Sequence, residues 1–146
     1  EPENLQQLMN NLKDYKHFQP YNLAVSDKKG EKNLMKMAGW NTGTHSFYQS
    51  NGVPIKVQTV SLDDILINFP KVSLIKIDTE GAECEILFNS KLLFKVDKIV
   101  GEYHNYINNH ALQNIIDFLE SKNFKIEKIK EHNADSGTFF AVNNTK

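Results

Sequence analysis

The sequence predicts an α/β domain with a mostly parallel sheet that ends in an antiparallel hairpin. Three observations carry this. β-rich runs at 72–77 and 98–104 alternate with helical runs at 81–88 and 111–121, the order that builds parallel sheets. The last two strand-like runs, 124–130 and 137–142, have no helix between them and so close as an antiparallel pair at one edge. The length, 146 residues, suits a single domain over 1–146 with a sizeable core.

Each element has a local reason. Leu5, Leu8, Met9 and Leu12 fall on one face of a helix over 3–15. Residues 21–26 form a short strand that stops at the Asp27–Gly30 turn. Strands at 32–38 and 55–60 flank a polar loop carrying Trp40, Phe47 and Tyr48, which could cover a substrate or simply lie on the surface. Ser61 with Asp64 three residues on reads as a capped helix start, followed by Leu62, Ile65, Leu66 and Phe69 at helical spacing and ended by Pro70. The runs 72–77 and 98–104 lack clean alternation, as strands covered on both faces do. Helix 111–121 is amphipathic through Ala111, Leu112, Ile115, Ile116 and Leu119, and 124–130 alternates like an edge strand.

Composition excludes several function classes. Lys plus Arg (17) nearly balances Asp plus Glu (18), so no global field favours nucleic acid or an anionic membrane. No apolar run approaches the roughly 18 residues that span a bilayer. The single cysteine, Cys84, fits a reducing, cytoplasmic setting and reads as a buried small hydrophobe. His17, His45, His110 and His132 sit in polar surroundings and read as solvated.

Chemistry concentrates at two strand ends. In open α/β sheets ligands bind beyond the carboxyl ends of the strands. The stretch Val72–Glu83, VSLIKIDTEGAE, supplies Asp78, Thr79, Glu80 and Glu83, and the next strand supplies Glu102, His104 and Asn105. Alternation puts Glu102 and His104 on one side and Tyr103 on the other. Capping by Asp78 or Thr79, with Glu80 and Glu83 favouring the helix dipole, competes as an explanation for the first set. It explains less of Asp78, Glu102 and His104, which end strands and cost desolvation unless paired.

The order AVSD, VQTVSLDDIL, LIKIDTEGAE, IVGEYHN and GTFFAV resembles the FkbM-type family of S-adenosylmethionine-dependent methyltransferases. Its most specific part is the Lys76–Glu83 run, joined by the Glu102–His104 pair. The resemblance implies a Rossmann-like class I methyltransferase fold with S-adenosylmethionine as cofactor. It places Glu1 at the ribose hydroxyls, and Ala24, Val25, Ser26 and Asp27 at the adenine. It also implies a glycine-rich first strand upstream of Glu1. That strand is not in this sequence, so the expectation is a domain with its N-terminal strand or strands missing and strand 21–26 separated from strand 72–77. A sheet edge left open in this way would favour a homodimer.

Methyl transfer to an oxygen of a small-molecule or glycan acceptor is the leading expectation. Asp78 would stand beside methyl donor and acceptor, Glu102 or His104 would act as base, and Glu80, Glu83 and Asn105 would bind the acceptor. Two readings compete with it. One is a non-catalytic binding or dimerisation module; the other is a metal-dependent hydrolase using Asp78, Glu80, Glu102 and His104.

Overall fold

The computed structural model describes residues 2–36, 45–48, 50, 52–105, 107 and 110–145. Glu1 and Trp40 lie outside them. In chain order the elements are α1 (Pro2–Asn11), β1 (Ala24–Ser26), β2 (Gly30–Lys36), β3 (Val53–Ser61), α2 (Leu62–Leu66), β4 (Ile75–Ile77), α3 (Glu83–Phe88), β5 (Lys98–His104), α4 (Ala111–Ser121), β6 (Phe124–Asn133) and β7 (Ser136–Asn143). A 3-10 turn, Leu93–Lys95, precedes β5.

The strands form two mixed sheets, not one mostly parallel sheet. The first has the order β1-β3-β2 and the second β4-β5-β7-β6. Among the described strands β1–β3 and β4–β5 pair in parallel, while β2–β3, β5–β7 and β6–β7 are antiparallel. The correction has a simple cause. Successive strands β2 and β3, like β6 and β7, pair with each other antiparallel, as strands joined by a direct turn-back do. The closing hairpin and the edge position of β6 are as expected, and strand 24–26 does stand apart from strand 75–77.

The buried apolar core lies in residues 62–141. Leu66, Ile86, Leu87, Ile99, Tyr103, Ile115, Leu119, Phe124 and Phe139 are among its largest members. Helices α2, α3 and α4 and strands β4–β7 all contribute to it. Gly101 is needed at its centre. It pairs with Phe139 across β5–β7, and a Cβ there would lie 2.5 Å from the Phe139 ring and 2.7 Å from Ile77 Cγ2.

β4 is less covered than its apolar run suggests. Leu74 is exposed and so is Lys76, because β4 is an edge strand whose inward face carries only Ile75 and Ile77.

The capped start of α2 is present as expected. Ser61 Oγ accepts from Asp64 N–H at 3.1 Å, and the Asp64 carboxylate accepts from Ser61 N–H at 2.9 Å. The Asp63 carboxylate accepts from Ser90 Oγ and the Leu92 amide, tying α2 to the turn after α3. Ser61→Ala is expected to cost about 1 kcal/mol in urea unfolding, the usual loss for a helix cap.

Candidate active site

Register builds the site. Ile77 of β4 lies opposite Gly101 of β5 in a parallel pair, so Asp78, just past the end of β4, comes beside Glu102, which is still within β5 and paired with Thr138 of β7. The chain then reverses through Glu80 and Gly81, whose φ angles are 51° and 109°. Gly81 is required twice over. Its φ is one that side chains rarely adopt, and a Cβ would approach Ile107 Cδ1 to 2.7 Å. Ser46 Oγ holds the turn from outside by donating to the Glu80 carbonyl at 2.6 Å.

This turn points Glu83 inward. α3 begins after Ala82 with no side-chain cap, so Asp78 and Thr79 do not cap it. Glu83, 2% exposed, accepts instead from the Thr79 amide at 2.9 Å, from Thr79 Oγ1 at 3.1 Å and from the Gly81 amide at 3.1 Å. On its other side stands His104 of β5, 5% exposed, with Nδ1 3.4 Å from Glu83 Oε1. That separation is long for a hydrogen bond, so charge attraction matters more than bond geometry.

The electrostatics follow from this placement. Burial acts to raise the Glu83 pKa, but His104 and the Thr79 and Gly81 amides outweigh it and hold the carboxyl below its ordinary value. His104 is raised, chiefly by Glu83; burial opposes the rise, and Glu80 and Glu102 add to it.

The other imidazole nitrogen faces the rim. His104 Nε2 is 3.6 Å from Glu80 Oε2 and 3.9 Å from Glu102 Oε2. Half-buried Glu80 is raised, first by burial and then by the nearby Asp78, Glu102 and Glu83 charges, with His104 opposing. Asp78 is paired with Lys76 Nζ at 2.7 Å.

Asp78, Glu80, Glu102 and His104 therefore share one rim. Glu83 and Asn105 are turned to internal partners. Asn105 Oδ1 accepts from the Leu112 amide at 3.3 Å at the start of α4, where His110 offers no side-chain cap.

A second polar cluster was not anticipated. The Glu85 carboxylate accepts from Ser26 Oγ at 2.6 Å, the Asp27 amide at 3.0 Å, Lys32 Nζ at 2.5 Å and Tyr48 Oη. Lys32 also pairs with Asp27 at 2.8 Å. Its hydrogen bond is the largest cause holding the Asp27 carboxyl well below the usual range. The signal available in the sequence was the Glu83–Glu85 spacing, which sends two acids to different sides of one helix. Of the expected cofactor residues, Ser26 and Asp27 belong to this cluster. Val25 lines a cavity of about 430 Å³ with Tyr21, Leu23, Val60, Ile65 and Phe69.

Among the described residues no group of three or more His, Cys, Asp or Glu is arranged to hold a metal ion, which leaves the hydrolase reading without a ligand set there. Nor is any described helix long and apolar enough to cross a membrane. Cys84 is buried, as expected. His17, His110 and His132 are exposed, and His45 is half-buried.

The family model of the methyltransferase FkbM domain matches residues 1–126. The chain belongs to the FkbM methyltransferase family. The FkbM match implies an S-adenosylmethionine-dependent methyltransferase of Rossmann-like fold. It covers both strand ends of the rim and the whole Glu85 cluster. Searches of curated proteins and of solved structures returned no match.

Proposed function

We propose that this FkbM-family domain methylates a hydroxyl oxygen of a small-molecule or glycan acceptor, with His104 as the general base. The observation that carries the reading is the two-sided setting of His104. Glu83 takes one ring nitrogen in the interior and leaves Nε2 facing the rim.

In this reading neutral His104 takes the hydroxyl proton at Nε2 as the oxygen is methylated, and Glu83 stabilises the imidazolium that forms. Glu80 and Glu102 orient the hydroxyl, and Asp78 borders both donor and acceptor. Glu83 then acts through His104, and Asn105 through the start of α4.

Ala24, Val25, Ser26, Asp27 and Asp78 would hold S-adenosylmethionine, with Glu1 as a further contact carried by the family pattern. When bound, the cofactor supplies a methyl group activated by a sulfonium. The residues present suit it: a rim with carboxylates at Asp78, Glu80 and Glu102 complements the positive sulfonium and amino groups. The cavity beside Val25 is within the usual size of small-molecule sites.

Ligand binding tests the cofactor half. S-adenosylhomocysteine at a hundredfold excess over its Kd is expected to raise the stability of the full-length protein by about 2.7 kcal/mol in a thermal-shift or urea assay. A full-length protein that shows no shift would sink the assignment of residues 24–27. Labelled methyl recovered on amines and never on alcohols would sink the oxygen assignment.

A further inference from the structure

We infer that Glu85 is a positioning residue for the cofactor side of the site, clamping the end of β1 to α3 while Glu83, two residues earlier, sets the acceptor side. The inference rests on the assignment of residues 24–27 to the cofactor. Successive helix residues turn by about 100°, so positions 83 and 85 point about 200° apart. Glu83 accordingly reaches His104 on β5, and Glu85 reaches Ser26 and the Asp27 amide at the end of β1. One short helix thus bears on both halves of the site through two acids.

The Glu85 side is built, not incidental. Four donors from three separate stretches of chain converge on its carboxylate: Ser26 Oγ and Asp27 N–H, Lys32 Nζ from β2, and Tyr48 Oη. Ser26 is 1% exposed, and its single hydroxyl hydrogen is shared between Glu85 Oε1 at 2.6 Å and Asp27 Oδ1 at 2.9 Å. Lys32 bridges the Asp27 and Glu85 carboxylates, cancelling one of their two charges. With the Asp27 amide fixed by Glu85 and its side chain fixed by Lys32, the backbone at 24–27 has one set position relative to α3.

The test separates the two acids in the full-length protein. Glu85→Gln is expected to weaken S-adenosylhomocysteine binding by about tenfold, the scale of a lost charged hydrogen bond. It should raise KM for S-adenosylmethionine and leave kcat at saturating cofactor and the His104 titration, read by NMR, unchanged. Glu83→Gln is expected to do the reverse, shifting the His104 titration and sparing cofactor affinity.

Lys32→Met provides an independent route to the same loosening if Glu85→Gln fails to fold, and Lys32→Arg should restore binding. Wild-type affinity in both Glu85→Gln and Lys32→Met, with the wild-type protein binding normally, overturns the clamp alone. A wild-type protein that does not bind S-adenosylhomocysteine overturns the cofactor assignment beneath it. A His104 titration displaced equally by both acid variants would show a general loss of structure and also overturn the clamp.

Discussion

Glu83→Ala is expected to lower the unfolding free energy by about 3–5 kcal/mol, the cost of removing one partner from a buried ion pair. The substitution leaves His104 buried without its main countercharge, and strips the Thr79 and Gly81 amides of their acceptor. Urea denaturation at neutral pH measures the loss. The pH dependence identifies its source. Glu83 is depressed below its ordinary value of 4.5, so its contribution is complete above that value and lost as pH falls through the folded-state pKa. His104 is raised above its ordinary value of 6.5, so its contribution is complete below that value and lost as pH rises through its folded-state pKa. Wild-type stability should therefore fall on both sides of a plateau, and Glu83→Ala should flatten both limbs. A variant with the wild-type pH profile would show that the pair contributes little.

His104→Ala is expected to reduce turnover by about 10²–10⁴-fold, the usual range for a positioned general base, with a smaller change in cofactor affinity. The base must be neutral to accept a proton. Wild-type kcat/KM should thus rise with pH as His104 deprotonates, with its midpoint above the ordinary histidine value because of Glu83, Glu80 and Glu102. In Glu83→Gln that midpoint should move down, since the largest raising influence is gone. Turnover in His104→Ala within a few-fold of wild type would transfer the proton to another group, with Glu80 and Glu102 the neighbours at hand.

How much of this was legible depended on whether the cause was local. β5 and α4 have the expected limits, 98–104 and 111–121, because an unbroken β-rich run and a full apolar stripe act within their own segments. The capping box at Ser61 is likewise encoded in four consecutive residues. β1 and β4 shrank to three residues each. A strand's length depends on the partner alongside it, and neither segment reveals that partner.

The shared rim was legible because the two strand ends carry polar residues where a strand pair would align them. The inward turn of Glu83 was not. It follows from φ at Glu80 and Gly81, which the residue names permit without requiring. The Glu85 cluster joins positions 26, 27, 32, 48 and 85, a set of long-range pairings with no periodic trace.

The position of the core has a dynamic consequence. Among the described residues the buried apolar side chains lie in residues 62–141, and the β1–β3 sheet meets the rest through polar ties at Glu85 and at the Glu80 carbonyl and through partly buried Val25 and Phe47. Such ties release at a lower free energy than a packed interior does. The first sheet is therefore expected to open as a unit at a lower free energy than β4–β7, and faster amide hydrogen exchange in β1–β3 than in β4–β7 would show it. In the proposed assignment that unit carries residues 24–27, so cofactor binding would select its closed form and be weakened by whatever fraction of molecules is open.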